Sequence, residues 1–229
     1  MRIKGRIITS ISLLLIIIVI MTVYSIPQVH LILQKHYYSF EMVFRFNNLS
    51  TITYRMLDTS RLVNKMVIHA GDTDKLHDII HDAFHINQNI RFLIDDIMLS
   101  IRYDSQISTR ELILYTNLVN ELDNQIRQYM SELVTPIYQI ALNDFDNKTL
   151  LFEMLELELE LFSIIQTTLR ELMVSARMGM IDSRVEIILI VNNTMAIILL
   201  LGILGVIIGI IVAVFICVTV TKAVKDKRQ

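Results

Sequence analysis

The chain has 229 residues, 53% of them hydrophobic, with six Gly, two Pro and no Trp, a composition typical of long helices joined by few turns. Its one cysteine, Cys217, excludes an internal disulfide framework and any cysteine-rich zinc module. The net charge of −2 averages unlike regions, because residues 30–186 carry 14 basic and 22 acidic side chains whereas both ends are basic. An acidic middle without a basic stripe excludes nucleic acid as a partner.

Two stretches are long and apolar enough to cross a membrane. Residues 7–27, "IITSISLLLIIIVIMTVYSIP", carry no charge, and residues 187–221 form a run of 35 uncharged residues. A hydrocarbon core of about 30 Å needs about 20 helical residues, so the sequence predicts transmembrane helices at 7–29 and 187–221. The first stretch could instead be a cleaved signal peptide, although its apolar run is long and no small-x-small cleavage site follows.

Basic residues flank the outer end of both predicted spans. Because Lys and Arg accumulate on the cytoplasmic side, we expect residues 1–6 and 222–229 to be cytoplasmic. Residues 30–186 would then form an extracytoplasmic domain.

The first helix of this domain shows apolar residues at every third or fourth position from residue 31 to 67, a stripe that also includes Arg45. Gly71 can end this helix, and Asp72 or Thr73 can cap the next. A second apolar set opposite the main stripe favours a homodimer through the first and fourth helices. This set comprises Phe40, Val43, Phe44 and Leu62.

The second helix is predicted over residues 76–101, and "RYDSQIS" ends it. Ser108, followed three residues later by Glu111, predicts a capping box at the start of the third helix. Pro136 is expected to kink the third helix or to mark its end. The predicted core stripe of the third helix is Tyr115, Leu118, Leu122, Ile126, Tyr129, Leu133 and Ile140.

The fourth helix is predicted from residue 151 to 176, and no helix breaker separates it from the second span. The predicted fold is therefore all-α, a membrane-anchored antiparallel up-down-up-down four-helix bundle with two transmembrane helices.

Three histidines, His77, His81 and His85, recur every four residues on the side of the second helix that faces away from its apolar stripe. Three aspartates precede them: Asp74, Asp78 and Asp82. Three interpretations are open. The cluster is a solvated face, a metal site completed by neighbouring carboxylates, or a proton switch.

Two further features lie within apolar stripes. Glu158 falls on the core stripe of the fourth helix, where a carboxylate needs a basic partner on a neighbouring helix or takes a ligand-binding or proton-sensing role. In the second span, Gly205 and Gly209 form a GxxxG motif with Gly202 on a similar side, and small residues of this kind let membrane helices pack closely.

This order of segments resembles the transmembrane and ligand-binding part of bacterial chemoreceptors, the methyl-accepting chemotaxis proteins. The final residues, "TVTKAVKDKRQ", are similar to the opening of a HAMP linker. The resemblance implies a multi-pass protein of the bacterial inner membrane that acts as a homodimeric receptor. Because the sequence stops at Gln229, we expect either a truncated receptor or a short relative that signals through a cytoplasmic partner.

In such receptors the ligand binds between the first helices of the two subunits, near the end far from the membrane. The resemblance therefore directs attention to Arg55, Arg61, Asn64 and Lys65, with Glu158 as a further candidate. Arg side chains suit an anionic or carboxylate ligand, although they could equally be solvated. A periplasmic binding protein is an alternative partner.

We expect no cofactor and no enzymatic activity, because the sequence has no Gly-rich phosphate loop, no supported Ser-His-Asp arrangement and no complete metal motif. The sensor region of a histidine kinase, or a structural membrane protein that only binds partners, are the alternative functions.

Overall fold

A computed structural model describes residues 3–104 and 106–225, and every regular element within these ranges is helical. The helices are α1 (Ile3–Ile68), α2 (Thr73–Tyr103), α3 (Thr109–Gln128), a π-helical turn (Tyr129–Val134), α4 (Thr135–Asn143) and α5 (Lys148–Lys225). The predicted all-α class is therefore confirmed. Of the predicted cytoplasmic ends, residues 1–2 and 226–229 lie outside the described residues.

The chain divides into two units by its internal contacts. The first unit comprises Met1–His36 and Ser183–Gln229. Within it, Lys35 Nζ lies 2.6 Å from a carboxylate oxygen of Glu186, and the Ser183 hydroxyl donates to the Lys35 carbonyl at 2.7 Å. Among the described residues, α1 and α5 are the two helices long and apolar enough to cross a membrane, judged by length and composition.

The second unit, Tyr37–Asp182, contains the buried core. Within this unit, α2 and α3 begin at the capping residues that the sequence predicts. The Asp72 side chain accepts from the Lys75 backbone N–H, and Ser108 and Glu111 form the complete capping box. Each cap satisfies N–H groups that have no partner inside the helix.

Gly71 makes the turn between α1 and α2 possible. Its φ of +88° is a conformation that side chains with a Cβ rarely adopt, and its N–H donates to the Ala141 carbonyl at 2.8 Å. A Cβ at this position would also lie 3.3 Å from the Phe145 ring. The backbone conformation therefore favours glycine, and a Cβ would also require the Phe145 ring to move by a few tenths of an ångström.

We expect Gly71→Ala to lower the free energy of unfolding by about 1–2 kcal/mol, because the substituted residue must hold a left-handed conformation. Thermal unfolding of the detergent-solubilised chain measures this loss, with Thr73→Ala on the exposed first turn of α2 as the control. Equal melting temperatures for the two variants would contradict the requirement for glycine.

The core of the second unit consists of aliphatic and Met side chains, together with Tyr115 and Tyr129, from every helix that contributes to the unit. Two of the predicted positions are corrected. Leu62, assigned to an outward face, is 9% exposed and packs in the core, while Phe40 and Phe44 of the same set remain exposed. Ile140, assigned to the core stripe, is only partly buried, whereas Ile137 and Ala141 are fully buried.

The π-helical turn explains the displaced stripe on α4. It lies immediately before Pro136, which has no N–H and whose ring crowds the preceding turn of an α-helix. The wider turn relieves this crowding, and the Thr135 hydroxyl and N–H both return to the Met130 carbonyl five residues earlier. One extra residue rotates the following face by about 100°, so the core position expected at Ile140 falls at Ala141, four residues after the buried Ile137.

Candidate functional site

The four predicted ligand residues of α1 lie on an exposed surface of the second unit. Arg55 and Lys65 are exposed, and Arg61 pairs with Asp58 of its own helix at 3.2 Å. The Asn64 amide donates to the Ser60 carbonyl at 3.0 Å. Glu158 is buried, so the structure does not gather it with the four α1 residues into one site.

Glu158 is 1% exposed and accepts a 2.6 Å hydrogen bond from the hydroxyl of Tyr129, which begins the π-helical turn. The partner is a phenol instead of the basic residue predicted. Burial, together with the hydrogen bond and the negative charge of Glu158, raises the pKa of Tyr129 far above its usual range near 10, while a bond with Ser60 of α1 opposes the shift. The pair links the π-helical turn to α5 inside the core.

The three histidines remain on the exposed side of α2. His77 Nδ1 lies 2.9 Å from the hydroxyl of Tyr138 on α4, and His85 Nδ1 lies 3.2 Å from the amide nitrogen of Asn89. Across the described ranges, no group of three or more His, Cys, Asp or Glu side chains is arranged to hold a metal ion. The contact of His77 with Tyr138 therefore gives the first histidine a tertiary partner without creating a metal centre.

The three glycines of the predicted second span have free space at the position where a Cβ would lie. A Cβ on Gly205 would lie 4.0 Å from Ile17 of α1, and a Cβ on Gly202 or Gly209 would meet no described atom within 4 Å. Any close packing at Gly202 and Gly209 would therefore need a partner outside the described residues.

A network of polar side chains in the second unit surrounds Arg45 of α1, which is 1% exposed. Its guanidinium donates to the Ser100 hydroxyl at 2.8 Å, to the Ser100 carbonyl at 2.9 Å and to the Asp104 carboxylate at 2.7 Å. Ser100 in turn donates to the Glu41 carboxylate at 2.6 Å. We call Arg45, Ser100, Asp104 and Glu41 the Arg45 cluster. It joins α1 to the carboxyl end of α2.

Aromatic and small residues enclose the Arg45 cluster. The guanidinium carbon of Arg45 lies 5.8 Å from the ring centroid of Tyr115 on α3, a cation–π distance. Burial, Glu111 and other neighbouring charges raise the pKa of Tyr38 to about 12, and burial also raises the pKa of Tyr115. On α5, a Cβ added to Gly179 would lie 3.0 Å from Met42 Sδ, so glycine permits this approach.

The Arg45 cluster is a buried anchor and not a ligand site, because the Arg45 and Asp104 side chains are only 1% and 2% exposed. Sequence reasoning placed Arg45 on the core stripe but assigned it no role. The available signal was a charged residue at a core spacing, which requires a buried partner.

An open groove of about 540 Å³ lies between α1 and α5 within the second unit. This α1–α5 groove is lined by Phe46, Thr53, Gln166, Arg170, Met173 and Arg177, among others. The Thr53 hydroxyl lies 3.8 Å from Met173 Sδ at its base. Sequence reasoning missed the groove, because Arg170 and Arg177 are ordinary exposed residues of α5 until α1 is packed beside them.

No protein-family model, curated protein or solved structure matches the chain. The resemblance to chemoreceptors therefore stays a prediction.

Proposed function

We propose that the protein is a transmembrane signal-transducing receptor of the bacterial inner membrane. In this proposal residues 30–186 form an extracytoplasmic antiparallel four-helix bundle, and both termini are cytoplasmic. The pattern of charge supports this orientation, because the acidic residues concentrate in 30–186 and the basic residues flank the spans.

One observation carries the proposal: α5 is a single helix from Lys148 to Lys225. It joins residues that pack in the core, such as Leu169 and Leu172, to a stretch of 35 uncharged residues. A ligand that favours one position of the core part of α5 would bias the position of the span as well, because a continuous helix transmits small displacements.

Homodimer formation is part of the proposal. Phe40 and Phe44 of α1 remain 66% and 38% exposed, so they are available to a second copy of the chain. The partners expected are a small-molecule ligand or a periplasmic binding protein outside and a signalling protein inside. A histidine kinase output and a chemotaxis output are both compatible with this arrangement.

Inserting Gly-Gly between Glu186 and Ile187 is expected to abolish signalling without abolishing ligand binding, because two glycines weaken the helix where it enters the span. The readout is the kinase activity of a fusion in which the chain replaces the sensor part of a chemoreceptor. Metabolites that raise the melting temperature of the protein would be supplied as stimuli.

The control variant carries Gly-Gly after Gln106, in the α2–α3 connection, where a loop tolerates added residues. A fusion that responds with the insertion in α5 would disprove transmission through a continuous helix. A fusion that never responds to any stabilising metabolite would favour a structural membrane protein.

A further inference from the structure

The α1–α5 groove combines two features that a ligand site needs. Its volume of about 540 Å³ lies in the range of small-molecule sites, about 300–1,000 Å³. Its lining includes apolar side chains, Phe46 and Met173 among them, beside polar groups such as Thr53 and Gln166.

The charge of the groove is wholly positive. Arg170 and Arg177 line it, and no acidic side chain from the described part of the chain does. Neither arginine takes part in an ion pair or hydrogen bond among the described residues, whereas Arg45, Arg61 and Arg127 each bind a carboxylate. Two unpaired guanidinium groups facing one groove can each bind a carboxylate through two parallel hydrogen bonds.

The spacing of the two arginines defines the shape of the ligand. They are seven residues apart on α5, two turns and about 10.5 Å along the helix axis, and so lie on the same face. Met173 and Val174 lie between them, so the α5 side of the groove is apolar there, and the Thr53 hydroxyl opposite Met173 already donates to the Leu49 carbonyl. A ligand that matches the volume of the groove, its two positive charges and the apolar side chains between them is elongated, with an anionic group at each end and an apolar middle.

We propose that the α1–α5 groove binds an organic dianion with an apolar middle, most simply an α,ω-dicarboxylate, with Arg170 and Arg177 holding one carboxylate each. This inference names a ligand class for the proposed receptor and rests on that function for its biological meaning. Binding itself is measurable whether or not the protein signals.

Titration calorimetry on the full chain in lipid nanodiscs tests the proposal with azelate as the probe. Arg170→Gln and Arg177→Gln are each expected to weaken azelate binding by about tenfold or more, the effect of losing one charge-assisted contact. Nonanoate, which has one carboxylate, should bind the wild type more weakly than azelate. Arg91→Gln, which removes an exposed arginine of α2, should leave azelate affinity unchanged.

Four outcomes would overturn the inference, and a fifth would bear on the receptor proposal alone. Absence of azelate binding removes the site, and equal affinity for azelate and nonanoate removes the dianion. If Arg170→Gln and Arg177→Gln both bind azelate as the wild type does, the ligand binds elsewhere. If azelate binds only to the monomer, a second copy of the chain covers the groove in the dimer. Azelate binding without any output from the kinase fusion would refute the receptor proposal and leave the site intact.

Discussion

Arg45→Met is expected to lower the free energy of unfolding by about 3–5 kcal/mol, because it leaves the buried Asp104 carboxylate without its cation. The same change removes the donor to the Ser100 hydroxyl and carbonyl. For a chain of this size the melting temperature should fall by on the order of 10 °C. Circular dichroism of the detergent-solubilised protein measures the shift.

The double variant Arg45→Met with Asp104→Asn shows whether the loss of stability comes from the unpaired Asp104 charge or from lost packing of the Arg45 side chain. If the cost comes from an uncompensated buried charge, removing both charges should restore much of the stability. Lys35→Met is the matched control, because its partner Glu186 is half exposed and water can replace the lost ion pair. If Arg45→Met alone is as stable as Lys35→Met, the Arg45 cluster does not anchor α1 to α2.

Tyr129→Phe is expected to lower the free energy of unfolding by about 2 kcal/mol, because the buried carboxylate of Glu158 loses its hydroxyl donor. Tyr103→Phe is the control, since Tyr103 is 83% exposed and water solvates its hydroxyl. Combining Tyr129→Phe with Glu158→Leu should recover stability, because the pair is then replaced by apolar groups. Failure to recover would mean that Glu158 has a second important contact.

Tyr129→Phe should also change how the free energy of unfolding depends on alkaline pH. An unfolded tyrosine titrates near 10, whereas the raised pKa of Tyr129 keeps its proton in the folded state. Above about pH 10 the unfolded state therefore binds fewer protons than the folded state, and the free energy of unfolding falls as pH rises. Tyr38, with its pKa of about 12, and Tyr115 act in the same direction, so Tyr129→Phe should reduce this slope without removing it.

Local rules predicted much of the helical structure. The caps at Asp72 and Ser108 and the break at Gly71 follow from hydrogen-bond chemistry within a few residues, and the structure confirms them. The all-α class follows from apolar spacing, which is a property of each segment alone.

Pairings between distant segments were not predictable in the same way. Spacing placed Arg45 and Glu158 in the core but could not identify Asp104 or Tyr129 as their partners, because those contacts depend on how the helices pack. The π-helical turn before Pro136 moved the core stripe from Ile140 to Ala141, and a period of 3.6 residues cannot show an extra residue in one turn. The α1–α5 groove likewise exists only once residues of α1 and α5 that are more than 100 positions apart lie side by side.

Asp104 both ends α2 and binds Arg45: one of its oxygens accepts from the Gln106 N–H at 3.0 Å and the other from the guanidinium at 2.7 Å. For the bond to the Gln106 N–H alone, Asn or Ser could replace Asp, because their side-chain oxygens also accept a local N–H. Here only an ionised side chain of this length meets both demands. The choice of residue at one surface turn is thereby fixed by the charge of a side chain 59 positions earlier in the chain.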